Sequence, residues 1–198
     1  MSNVRIFSRR PRLLCSLFLA GLVGGGAALA GSDPISRIQA RDNTAGVIAS
    51  TTGGGHYLIG DSLDVKFSFG ATQKADGSAH GQFRQSVELG GQLIEFHGKV
   101  TCISVDSVNR RAWIGGIVTR NNSVHPAFTT DIHEPGKDVW FRVLDSGEGQ
   151  SDADRSTFLG FEGAAGIITS REYCDAQIWP DDNDRTSPVI EGNIQVQP

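Results

Sequence analysis

The feature that most constrains this chain is a period of two in its apolar residues. Leu63, Val65, Phe67 and Phe69 alternate with Asp64, Lys66 and Ser68. Such a repeat sends one set of side chains to a core and the other to water, which is how a half-buried β-strand reads. The turn signal Ala75-Asp76-Gly77-Ser78 follows, in which Gly77 can take positive φ. Phe83, Gln85, Val87 and Leu89 then alternate again, so Leu63 to Leu89 reads as an antiparallel hairpin.

Gly90-Gly91 turns the chain into its longest β pattern, Gln92 to Thr119. Ile94, Phe96, Val100 and Cys102 are expected on one face, with Glu95, His97, Lys99 and Thr101 on the other. After a polar turn at Asp106–Arg110, Ala112, Ile114 and Val118 continue the apolar face, while Trp113 and Ile117 make the opposite face partly apolar. Gly115-Gly116 inside a strand signals a bulge, a bend or close backbone approach.

Beyond this centre, Arg120–Lys137 is irregular, interrupted by Pro126, Pro135 and Gly136. Val139–Leu144 and Thr157–Phe161 read as strands, separated by an acidic, glycine-containing loop. Gly163–Trp179 is compatible with a strand or a short helix. Pro180–Pro188 is an acidic loop, and Asn193–Val196 reads as the last strand. No long stretch has helical periodicity. The expected fold is all-β, an antiparallel meander of about eight strands forming a small barrel or a two-sheet sandwich.

The first residues read as an export signal. Arg5, Arg9, Arg10 and Arg12 precede the apolar run Leu13–Val23, and Ala28-Leu29-Ala30 supplies small residues for cleavage before Gly31. The pair Arg9-Arg10 suits twin-arginine export, and ordinary Sec export is equally compatible. The expected organisation is a signal peptide at 1–30, a flexible lead-in at 31–55 ending in Gly53-Gly54-Gly55, and one β domain at 56–198. The expected destination is the periplasm or the exterior, with no stable membrane span after cleavage.

Charge and cysteine usage agree with export. The signal holds 4 of the 18 basic residues and none of the 22 acidic ones, so the mature chain carries 14 against 22, a net of −8. An acidic chain without a basic patch is a poor partner for nucleic acid. Removing the signal also removes Cys15 and leaves Cys102 and Cys174, an even pair in an oxidising compartment. A bridge between them would close a loop worth about 4 kcal/mol in the chain-entropy model. Two free buried thiols are the alternative. There is no C-x-x-C to encode a zinc ribbon or a redox site.

Five segments carry a family resemblance: Gly53-Gly54-Gly55-His56, Asp76-Gly77 with Gly81-Gln82-Phe83, His97-Gly98-Lys99-Val100-Thr101-Cys102, Ala112 with Gly115-Gly116-Ile117-Val118, and Asp145-Ser146-Gly147-Glu148-Gly149. Together they resemble a group of uncharacterised secreted bacterial all-β modules, over nearly all of residues 53–197. The resemblance implies an exported all-β unit and supplies neither catalytic residues nor a ligand.

Candidate sites follow from residue chemistry. Asp145, Glu148, Asp152 and Asp154 lie in one glycine-containing loop and could offer hard oxygens to Ca²⁺, although the spacing is not an EF-hand. The ordinary reading is a solvated loop whose acids cap turns or pair with Arg155. No cofactor other than this Ca²⁺ is implied. The histidines, His56, His80, His97, His125 and His133, show no close metal-binding pair. Glu95 and His97 would form a polar pair in a cavity if their face lined a barrel interior. No G-x-S-x-G elbow supports a serine nucleophile. Trp113, Trp140 and Trp179 could stack on a ligand, with core packing the commoner fate. These features favour a non-enzymatic binding or envelope module of unidentified partner. The competing expectation is a hydrolase or small-ligand barrel with its site at Glu95 and His97.

Overall fold

A computed structural model describes residues 46–198. The expected signal, residues 1–30, lies outside the described residues, as does the lead-in from 31 to 45. The elements in order are β1 (Val47–Ile59), β2 (Leu63–Lys74), β3 (Ala79–Leu89), β4 (Gln92–Asp106), β5 (Arg111–Asn121), β6 (Asp138–Leu144), β7 (Arg155–Ser156), β8 (Gly160–Phe161), α1 (Ser170–Ala176) and β9 (Ser187–Gln197). Short 3₁₀ turns occupy parts of the connections.

Every strand pairing is antiparallel, and the order runs β5-β4-β3-β2-β1-β9-β7-β6, with β6 returning to pair with β5. The hydrogen bonds therefore close a ring of eight strands, the topology of a small barrel, which leaves few free edges. β8 extends the line of β7 along the same side of β6. Between them Thr157 leaves the regular ladder: its Oγ1 accepts from Arg142 N at 3.1 Å, and its N–H donates to Arg142 O at 3.1 Å. The run Thr157–Phe161 is thus two short pieces rather than one strand.

The inner faces meet in one core. Tyr57, Phe67, Phe69, Phe83, Phe96 and Phe141 are all buried there with aliphatic neighbours. Phe141 sits edge-on to both Phe69 and Phe83, with ring centroids 5.3 and 5.6 Å away, in the favoured aromatic geometry. The period-two pattern that marked the hairpin and the central strands is the pattern of this packed interior.

Two boundaries differ from the sequence reading. The β domain starts at Val47 and not at His56, because Gly53-Gly54-Gly55 lies inside β1, between β2 and β9. A Cβ at Gly53 would lie 2.6 Å from the Phe69 ring and 2.9 Å from Ile194 Cγ1. At Gly55, φ is +147° and the added carbon would run into the backbone of Glu191 and Gly192. The glycines are a close-approach surface rather than a linker.

The second difference concerns Cys102. Val100 pairs with Gly116 and Cys102 with Gly115, so Thr101 is an extra residue in β4, a bulge. One inserted residue reverses the parity of all that follows. Val100 and Ile103 face the main core, while Cys102 turns to the outer wall and meets Cys174 at disulfide distance, Cα–Cα 6.3 Å. Gly115 makes room for this: a Cβ there would lie 2.8 Å from Ser170 Cβ and from Ser170 O. α1 therefore docks its first turn directly on β5.

The sequence left the α1 stretch between strand and helix, and a capping box decides it. Thr169 Oγ1 accepts from Glu172 N at 3.2 Å, and Glu172 Oε2 accepts from Thr169 N at 3.2 Å. Each satisfies a donor that a helix start leaves free. No helix among the described residues is long and apolar enough to cross a membrane.

Candidate ligand-binding cleft

On β6 the alternation sends Val139, Phe141 and Val143 inward and Trp140 and Arg142 outward. The outward pair does not meet water. Trp113, Trp140, Ile167 and Tyr173 form a second buried cluster, with Trp179 packed against it. This cluster lies between the barrel wall and the chain that runs from Gly163 through α1 to Thr186. The disulfide fastens that excursion to β4, and Trp113 Nε1 donates to Ile178 O at 2.8 Å, fastening it again beyond the helix.

Beside the cluster is a cleft of about 460 Å³. Trp140 and Tyr173 stack with centroids 5.6 Å apart and an interplanar angle of 21°, and both line it. Phe158, Ile167, Ile59 and Ile178 add apolar wall. Ile59 and Ile178 are 37% and 48% exposed, so apolar surface continues to the rim. Its volume falls within the range typical of small-molecule sites, which are mostly apolar with a few placed polar groups. Burial pushes the Tyr173 phenol up to about 12, so it is a neutral group at physiological pH.

Among the described residues, Arg142 and Arg185 are the charged ones on the cleft wall, and no acidic residue lines it. Arg142 is only 7% exposed. Its Nη2 donates to the backbone carbonyl of Asp184 at 2.7 Å, and its guanidinium carbon lies 5.4 Å from the centre of the Trp179 ring. Its Nε is buried without a hydrogen-bond acceptor. Among the described residues no carboxylate reaches it within ion-pair distance; the Asp184 carboxylate, 68% exposed, lies 3.8 Å from Arg185 instead.

In the acidic loop two carboxylates bind backbone donors. Asp154 Oδ1 accepts from Ser146 N at 2.9 Å, and its Oδ2 accepts from Ile194 N at 2.7 Å. Asp145 Oδ1 accepts from Gly147 N at 2.7 Å, and its Oδ2 accepts from Val196 N at 3.0 Å. β7 pairs with β9 only at Arg155 and Ser156. Where β7 is lacking, the two carboxylates satisfy the free edge of β9. Glu148 and Asp152 are exposed. Among the described residues no group of three or more His, Cys, Asp or Glu side chains is placed to hold a metal. Of the four residues of the Ca²⁺ expectation, Asp145 and Asp154 act as a strand clamp, and Glu148 and Asp152 stand exposed beside it.

Glu95 and His97 do meet, on the face of β4 opposite the core residues Ile94 and Phe96. His97 Nε2 lies 2.9 Å from Glu95 Oε1, and Asn122 Nδ2 donates to the same oxygen at 2.7 Å. Oε2 accepts from both Nε and Nη2 of Arg84. The Arg84 guanidinium, ahead of the His97 and Asn122 hydrogen bonds, lowers the Glu95 carboxyl to about 2 against the cost of its burial. An ionised carboxylate with both oxygens doubly occupied is a poor proton carrier near neutral pH. It ties β3, β4 and the Asn122 loop together, and a barrel interior filled with side chains leaves this pair outside.

The other histidines are dispersed. His56 Nδ1 lies 2.7 Å from Asp64 Oδ1, and His133 is buried against Phe161, ring centroids 4.4 Å apart. Of the tryptophans singled out in sequence, Trp140 lines the cleft, while Trp113 and Trp179 pack in the cluster beside it. Arg142 and Tyr173 were missed. A signal for Arg142 was present, since an arginine alternating with a tryptophan inside Val139–Leu144 contradicts an otherwise apolar strand.

No protein-family profile, curated protein or solved structure matches this chain. The fold and the cleft therefore carry the functional argument.

Proposed function

We propose that this chain is an exported, non-enzymatic binding module that holds a small apolar ligand against Trp140 and Tyr173. The observation that carries the reading is the cleft of about 460 Å³ on the outer barrel wall, with its two stacked aromatic rings. Aromatic rings give a large contact area at low conformational cost. The cleft is held open from both sides, by the strand β6 and by a helix cross-linked to β4, so a ligand meets a preformed surface. Export is supported by the arginine-rich start, the Ala28-Leu29-Ala30 site and the paired cysteines. The likeness to secreted bacterial all-β modules agrees with it.

Naphthamide, a flat neutral probe, tests the cleft by calorimetry on the mature protein. Saturable binding is expected, lost in Trp140→Ala and retained in Trp113→Phe. Binding unaffected by Trp140→Ala would refute the assignment. Export is tested by N-terminal sequencing of protein from a bacterial host, where a start at Gly31 is expected.

A further inference from the structure

The charges on the cleft wall are of one sign. In a chain whose net charge is −4, the described residues on its wall include Arg142 and Arg185 and no Asp or Glu. A buried guanidinium is ordinarily paired, because removing its hydration is expensive without a counter-charge. Among the described residues Arg142 instead has a backbone carbonyl, the neutral Tyr173 phenol, a tryptophan face and an Nε without an acceptor. Its five donors in a planar fork match the two oxygens of a carboxylate better than they match any neutral group.

We infer that the cleft selects amphipathic carboxylic acids, with the flat apolar body on Trp140 and Tyr173 and the carboxylate on the Arg142 guanidinium. This rests on the binding function proposed above and adds the charge and class of the ligand. Arg185, whose side chain is 73% exposed at the rim, is already ion-paired with Asp184 at 3.8 Å and adds little to the charge an entering anion meets. Phosphate alone would lack the apolar contact, and a hydrocarbon alone would leave the arginine unanswered.

The test compares three probes with the same ring system and different charge: naphthoate, naphthamide and naphthylmethylammonium. Calorimetry on the wild-type mature protein should rank the anion at least tenfold tighter than the amide, with the cation weakest. Arg142→Met should abolish the preference for the anion while leaving amide binding within about threefold; Arg142→Lys should retain part of it. The amide guards against misfolding, since an unfolded variant loses both ligands. Should the wild type bind anion and amide equally, the carboxylate inference is overturned and the apolar cleft stands. Should it bind none of the three, the cleft itself is wrongly assigned and the inference falls with it. A preference for the anion that survives Arg142→Met would also overturn it, since the charge would then be read elsewhere.

Discussion

Replacing Asp154 by alanine separates a strand clamp from a calcium loop. The carboxylate accepts from Ser146 N and Ile194 N, one on each oxygen. Hydrogen bonds to a charged group contribute roughly 1.5–3 kcal/mol each. Both donors are partly shielded, and water entering after truncation would recover some of the loss. About 3 kcal/mol is the expected net cost, a large share of the roughly 5–15 kcal/mol that holds a typical domain folded. With a urea slope of about 1–3 kcal/mol per molar, the unfolding midpoint should fall by about 1–3 M. Asp152, exposed and outside the clamp, should cost under about 0.5 kcal/mol when replaced by alanine. The assay is urea unfolding followed by tryptophan fluorescence, with and without Ca²⁺. Equal effects of Asp152→Ala and Asp154→Ala would refute the clamp. So would a rise in the wild-type midpoint on adding Ca²⁺ that both substitutions remove, because only ion binding to the folded loop produces that linkage.

Four further outcomes are expected. Glu95 is ionised more readily in the fold than in the unfolded chain, so its contribution is present above pH 4.5 and is lost as pH falls towards about 2; solvent screening at the half-exposed Arg84 reduces this to about 1–2 kcal/mol, and Glu95→Gln should show a correspondingly flatter acid limb in pH-dependent unfolding. Burial lowers the His133 imidazole, so the unfolded state binds its proton first and stability declines as pH drops below the ordinary imidazole value of about 6.5; in thermal melts between neutral and mildly acidic pH, His133→Phe should lessen that decline. Removing the cross-link through the paired substitutions Cys102→Ala and Cys174→Ala should cost on the order of 4 kcal/mol, seen as a lower urea midpoint. Arg142→Met should leave the ligand-free protein as stable or more stable in the same assay, since an unpaired buried charge contributes little to folding.

The antiparallel meander was legible because its information is local and periodic, whereas the choice between barrel and sandwich stayed open, since the closing β5–β6 and β1–β9 pairings join distant stretches. Leu63–Phe69 and Phe83–Leu89 alternate on either side of one turn, and their strands pair as a hairpin with Phe69 opposite Phe83. Cys102 was misplaced by the same rule that worked elsewhere. Alternation runs through Phe96 and Val100, and nothing in His97-Gly98-Lys99-Val100-Thr101-Cys102 marks Thr101 as the extra residue. Its cause is distant, in the partner glycines of β5 and the helix docked on them. The Gly53–Gly55 run was read as flexible because three glycines are equally the composition of a linker; the groups that require small residues, Phe69 and Ile194 at Gly53 and the Glu191–Gly192 backbone at Gly55, are far away in sequence. The acidic loop was read from composition alone, and composition does not reveal that Ile194 N and Val196 N need acceptors. The cleft draws residues from β1, β6, the Phe158 bend, α1 and the start of β9, so no single stretch of sequence encodes it.

Folding requirements account for most of the outer-wall cluster but not for its arginine. A barrel strand that faces a docked helix needs apolar cover, and Trp113, Trp140, Ile167 and Tyr173 supply it. An aliphatic side chain at position 142 would extend that cover without desolvating a charge. The fold instead supports Arg142 with a carbonyl from Asp184, the neutral Tyr173 phenol and a Trp179 ring that also receives Arg111, its guanidinium carbon 4.8 Å from the ring centre. Trp179 is itself held, its Nε1 donating to Asn183 Oδ1 at 2.9 Å. Thus several residues of the 178–186 segment orient a buried cation beside an apolar cleft while none of them neutralises it. A group maintained against its own desolvation, and positioned by neighbours that leave its charge unanswered, is better explained by what enters the cleft than by what closes the barrel.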